Sequence, residues 1–179
     1  FLAEVICTLL LEPDSPSLNQ CGTCNLCIEA CPTGAIAAPY ELDSTRCLSY
    51  LTIEKRGDIP TDYRSELGTR IYGCDICQEV CPYNQPAAIS KDSSWQPRPG
   101  LDQPALSELW LMSDDTVRDL LKGSAMTRAK LGGLRRNIAV AMGNAGEVDT
   151  LVKYKGSTDQ RISVNDEMVQ RHVRWLVEE

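Results

Sequence analysis

Histidine is almost missing from this chain of 179 residues, which has only His172. One imidazole rules out centres that need several, such as a Rieske cluster or an HExxH zinc site. Phenylalanine is also down to one residue, and aromatics make up 6% of the chain. No apolar run approaches the ~20 residues needed to cross a bilayer. No basic-then-apolar leader with a cleavage site is visible, so the reading is a cytoplasmic protein that is not exported and works off the membrane. Net basicity is lacking too. A formal charge of −7 argues against coating nucleic acid with the whole surface, but leaves room for a local basic patch. Hydrophobic residues at 42% and charged ones at 24% fit a folded protein of one domain or two small ones.

What the chain has in excess is cysteine. Nine is an odd number, so a full set of disulfides would leave one thiol over. Eight lie between Cys21 and Cys81 and contain a repeat. Cys24-Asn25-Leu26-Cys27-Ile28-Glu29-Ala30-Cys31-Pro32 returns fifty residues later as Cys74-Asp75-Ile76-Cys77-Gln78-Glu79-Val80-Cys81-Pro82. Extended by Cys21, the first copy is C-x2-C-x2-C-x3-C-P, the bacterial run for a [4Fe–4S] cluster. Thiolates three residues apart on a tight loop can reach three corners of one cube. The fourth cysteine, one turn on, faces away and in two-cluster proteins ligates the other cube. The second copy has Ile71 where its first cysteine would stand, and Cys47 can supply that thiolate. One cluster then takes Cys21, Cys24, Cys27 and Cys81, and the other takes Cys31, Cys47, Cys74 and Cys77. Two four-cysteine zinc sites and disulfides stay open as alternatives, but three cysteines at x2 spacing and a closing x3-Cys-Pro favour iron–sulfur. Cys7 is left over and reads as a buried packing thiol. Nucleophilic cysteine chemistry would need an imidazole, and His172 reads as a helix-packing or surface residue far from any cysteine.

Four zones organise the chain. Residues 1–17 are an apolar strand-like run, Phe1 to Leu11, and a Pro/Ser linker. Such a strand needs neighbours, and nothing later reads as a sheet, so it is expected to be the last strand of a domain lying upstream. Residues 18–86 carry the cysteines. Residues 87–105 are an irregular linker with Trp95 as its anchor. Residues 106–179 have no proline and read as short amphipathic helices. One is capped by Ser113 and closed near Gly123, others cover about 133–143 and 147–155, and the last starts after Asp166. The expected fold is mainly α: a two-cluster ferredoxin-like domain, then a HEAT-like helical repeat, with one orphan N-terminal strand.

With these residues in view, the chain resembles the epoxyqueuosine reductase family. The resemblance rests on Cys21–Ile36, on Cys47-Leu48-Ser49-Tyr50-Leu51-Thr52-Ile53-Glu54 and on Tyr72–Pro82. It continues through Lys122-Gly123-Ser124, Arg128-Ala129-Lys130 and Leu134-Arg135-Arg136-Asn137. It implies a cobalamin-binding domain upstream, of which this chain would hold only the final strand. The fragment would contain no catalytic residue and would not turn over alone. The resemblance further implies an electron relay through two [4Fe–4S] clusters to cobalamin, which reduces epoxyqueuosine at the tRNA wobble position. It puts Ser49, Cys74 and Asp75 beside the corrin and Lys55 and Arg56 toward RNA. It also implies a low-potential donor of the flavodoxin or ferredoxin kind, and a monomer.

Charge supports the RNA half of that reading. Residues 118–137 hold Arg118, Lys122, Arg128, Lys130, Arg135 and Arg136 against Asp119 alone, a local +5 in a chain of −7. Arg128, Lys130, Arg135 and Arg136 are the expected phosphate contacts, against the plainer reading of a solvated helix face. Two rivals remain: a two-cluster ferredoxin-type carrier with a helical docking tail, and a reductive dehalogenase relative.

Overall fold

A computed structural model describes residues 3–85, 88–154 and 166–178. It is mainly helical, with one two-stranded sheet among the described residues. In the cysteine-rich part, helix α1 covers Leu26–Ala30 and stops because Cys31, ahead of Pro32, is extended. A hairpin that the sequence pattern does not announce follows: β1, Ile36–Ala38, pairs antiparallel with β2, Glu41–Leu42. Tyr40 makes its turn with φ of 67°. Helix α2 is Leu48–Ile53 and α3 is Ile76–Glu79, with single turns of 3-10 helix between them.

The C-terminal part is built from α4 (Leu106–Leu111), α5 (Asp114–Leu121), α6 (Lys130–Asn144), α7 (Val148–Tyr154) and α8 (Glu167–Glu178). Ser113 caps α5 as expected, its Oγ accepting from the Thr116 amide at 3.1 Å, with Asp114 and Asp115 in the first turn. Gly123, with φ of 71°, lies just past its end. The helix expected at 133–143 is longer and runs straight through Gly132-Gly133. It is buried on every side from Gly133 to Met142, so packing outweighs the helix-weakening glycines.

Two apolar clusters form the core. One joins Leu109, Trp110, Val117 and Leu121 to Leu134, Ile138, Ala139 and Met142 of α6, and to Leu151, Val169 and Val173. The other joins Leu48, Leu51, Ile59 and Leu67 to Val140, with Trp175 against it. Helix α6 enters both, so the cysteine-rich and helical zones pack as one body.

Residues 3–20 are exposed and form no strand among the described residues. Two expectations are corrected. Cys7 is accordingly an exposed thiol and not a packed one. Trp95 is 72% exposed and anchors nothing. The segment is tied down by Arg98, which donates to the last carbonyls of the α5 end, Lys122 O at 2.8 Å and Gly123 O at 3.0 Å.

Candidate metal centre and nucleic-acid interface

Cys31, Cys47, Cys74 and Cys77 line one open cavity of about 410 Å3, together with Ser49 and Asp75. Two side-chain-to-backbone hydrogen bonds bring their segments together. Arg46 donates to Thr33 O at 2.6 Å, drawing the Cys47 approach onto the turn after Cys31. Thr52 Oγ1 accepts from the Gly73 amide at 2.9 Å, tying α2 to the residue before Cys74. The thiols sense one another. Burial first, then the charges of Cys74 and Cys47, push the Cys77 thiol up. Burial would also raise Cys31, but the Thr33 hydroxyl and the amides of Ala35, Ile36 and Thr33 outweigh it and hold the thiol low. The Ala35 amide donates to Cys31 Sγ at 3.2 Å. Among the described residues, no three His, Cys, Asp or Glu side chains close on a point that would hold a single metal ion. Four thiols spread over the walls of a cavity suit a larger group, and an all-thiol donor set is what a [4Fe–4S] cube takes.

The other set, Cys21, Cys24, Cys27 and Cys81, lies on the α1–α3 side, where those two helices pack. The Cys24 amide donates to Cys21 O at 2.9 Å, making the tight turn the spacing implies. Tyr83 Oη donates to Gln20 O at 2.7 Å, which sets the chain just after Cys81 beside the chain just before Cys21. Cys21 and Cys24 are exposed, and the other six thiols of the two sets are half-buried.

The basic residues divide. Lys55 is half-buried and Arg56, Arg128 and Lys130 are exposed. Lys55, Arg56 and Lys130 share the rim of one cleft of about 240 Å3. Arg128 pairs with Glu54, and Arg56 donates to Arg128 O at 2.9 Å, so the loop after α2 and the start of α6 meet. Arg135 and Arg136 face inward, contrary to expectation, at 0% and 1% exposed. Arg135 donates to Leu109 O, Trp110 O and Met112 O and pairs with Asp114 at 3.1 Å. Arg136 donates to Leu51 O, Lys55 O and Gly57 O. Burial first, then the charge of Arg56, pushes its pKa down to about 10. These two residues hold the fold and are buried too deeply to meet a phosphate. Asn137 and Thr52 stand inside motifs quoted above but are not among the site residues expected from sequence, because nothing local to either names its distant partner. His172 is buried at 0% exposure, on the packing side of its two readings.

No described helix is long and apolar enough to cross a membrane. Residues 20–84 match the model for a 4Fe-4S double cluster binding domain. Over 177 residues, 99% of its length, the chain is 42% identical to epoxyqueuosine reductase of Shewanella oneidensis, and that match takes in 45% of the relative. Among solved structures, epoxyqueuosine reductase from Bacillus subtilis superposes with a TM-score of 0.79 at 29% identity, covering 93% of this chain and 44% of that one. An epoxyqueuosine reductase solved with an epoxyqueuosine-modified tRNA-Tyr stem loop superposes with a TM-score of 0.78 at 28% identity, covering 93% and 43%. The chain thus spans somewhat less than half the length of the relatives it matches. Sequence along its whole length, fold and the double-cluster domain together make this chain similar to a little under half of an epoxyqueuosine reductase.

Proposed function

We propose that this chain is the electron-relay and tRNA-binding part of an epoxyqueuosine reductase. The observation that carries the reading is the single cavity onto which Cys31, Cys47, Cys74 and Cys77 open beside Ser49 and Asp75. When bound, the clusters supply one-electron transfer at low potential and a cobalamin supplies the reducing chemistry on the epoxide. The chain's own residues do the positioning. Cys21, Cys24, Cys27 and Cys81 would hold one cluster and Cys31, Cys47, Cys74 and Cys77 the other. Ser49 and Asp75, on the cavity wall, would meet the edge of the corrin, most of whose pocket we assign to an upstream domain. Residues 18–86 and the HEAT-like helices of 106–179 are then two units fused through α6, working in the cytoplasm as a monomer with a flavodoxin- or ferredoxin-like donor.

On the RNA side we assign Lys55, Arg56, Arg128 and Lys130 to phosphates and withdraw Arg135 and Arg136. Lys55→Ala with Lys130→Ala should weaken binding of a tRNA stem loop. It should also flatten the salt dependence by roughly 0.7–0.9 units of slope for each phosphate no longer neutralised, with unchanged cluster absorbance. A salt titration of affinity checks this. An unchanged slope would return the basic surface to a solvated face and favour a ferredoxin-type carrier. The cluster assignment is tested separately by anaerobic reconstitution, which should give about eight iron atoms per chain. Cys81→Ala should then disturb the Cys21/Cys24/Cys27 centre, and spectra showing damage confined to the Cys74/Cys77 centre would refute the crossed ligation.

A further inference from the structure

We infer that Arg136 and Asn137, in the middle of α6, are positioning residues for the Cys31/Cys47/Cys74/Cys77 centre, because together they hold both chain segments that deliver Cys47 and Cys74. The inference rests on the iron–sulfur reading of that centre. Helix α2, which starts right after Cys47, has six residues. That is too short to persist by itself, and its last carbonyls have no partners within the helix. Helix α6 supplies them. Arg136 Nη2 donates to Leu51 O at 2.7 Å and Asn137 Nδ2 to Thr52 O at 2.8 Å. The second Asn137 Nδ2 proton goes to Ile71 O at 2.9 Å, three residues before Cys74. Thr52 closes the loop, its Oγ1 donating to Leu48 O at 2.8 Å while accepting from the Gly73 amide.

The pair also fixes itself. Arg136 Nε and Nη2 donate to Asn137 Oδ1 at 3.0 and 2.9 Å, which leaves Asn137 Nδ2 no direction but toward the carbonyls. Arg136 Nη1 holds Lys55 O at 3.0 Å and Gly57 O at 2.5 Å. All five guanidinium protons are therefore used, and Thr52, Arg136 and Asn137 are 0%, 1% and 0% exposed. Such a set of partners offsets the cost of burying the cation. Lysine, with three donors on one nitrogen, cannot serve these acceptors. Cluster potentials follow the hydrogen bonds to sulfur and the exposure of the centre, and shifting Cys47 against Cys74 changes both. Arg135 gives the matched control. It is the next residue along and equally buried, but its partners, Leu109 O, Trp110 O, Met112 O and the Asp114 carboxylate, belong to no cysteine-bearing segment.

The experiment uses the whole chain, loaded anaerobically with iron and sulfide, as wild type, Arg136→Lys and Arg135→Lys. Iron content, the paramagnetic resonance signal of each centre during stepwise reduction and the urea midpoint are read in parallel. Cys77→Ala identifies which signal belongs to which centre. We expect Arg136→Lys to shift the midpoint potential of the Cys47/Cys74 centre or empty it, with iron falling from about eight toward about four per chain. The other centre should not move. Arg135→Lys should lower stability to a similar extent with both signals intact. The inference fails if Arg136→Lys leaves both centres unchanged or alters both equally, or if Arg135→Lys has the same effect. Should Arg136→Lys not fold, Thr52→Val removes the link to Gly73 without changing shape, and the same selective effect is required of it. A wild-type chain that forms no iron–sulfur centre refutes the proposed function itself. Two sound wild-type centres that ignore both variants refute this inference alone.

Discussion

His172 is held neutral from both sides. Its Nδ1–H donates to Met168 O at 2.7 Å, and Nε2 accepts from the Ile59 amide at 3.1 Å. Protonation would turn Nε2 into a donor facing a donor. Burial is the main force pushing its pKa to about 4, from an ordinary value of 6.5. Because the folded value lies below the unfolded one, the stabilisation is complete above about pH 6.5. It is lost as pH falls toward 4, by about 3 kcal/mol in all. Urea midpoints followed from about pH 7 to about pH 4.5 should show this decline. His172→Gln should abolish most of it, and an equal decline in the variant would move the effect to other groups. Asp58, whose carboxylate Arg171 grips with both ends and holds low, contributes at still lower pH. Residue by residue, the sequence is most readable where the chemistry is local. The cysteine spacing states its own requirement, as does Ser113 at a helix start. Arg135 and Arg136 mislead because a charge run reveals nothing about distant carbonyls, and those capping Arg136 come from 79 to 85 residues away.

Among the elements, α6 and α8 show what a glycine can do inside a helix. A Cβ at Gly143 would overlap the Leu176 side chain, so α8 lies directly on bare backbone. On an exposed helix, glycine to alanine gains about 1 kcal/mol. Here the overlap costs about 1–3 kcal/mol and should win. Gly143→Ala is expected to be destabilising, and Leu176→Ala should restore part of the loss in a double-mutant cycle followed by denaturant unfolding. Additive effects would mean that α8 moves aside freely. Helix ends and lengths in this part are largely legible in the sequence: α7 and α8 fall close to the expected spans, and Gly123 and Asp166 mark ends as read. The β1–β2 hairpin is not legible, since two strands of three and two residues carry no alternation to detect. The apolar run that ends at Leu11 reads as a strand by composition, but composition does not name the edge it would pair with.

For the molecule as a whole, the division at residues 87–105 is one of sequence and not of packing. Ile138, Ala139 and Met142 of α6 belong to one apolar cluster and Val140 to the other. The polar links run the same way, since Asn144 Nδ2 donates to Arg64 O at 2.8 Å and Gly68 O at 2.9 Å. No route leads from periodicity to this arrangement, because a helix buried all round has no apolar stripe to announce its orientation. It has a consequence for how the chain opens. Local fluctuations release only the amides whose surroundings can come apart separately. Amide deuteration of Ile138 to Met142 would require both clusters to separate from the helix between them. Those five amides should therefore be the last to exchange, at a rate set by complete unfolding, while the amides of residues 3–20 exchange at once.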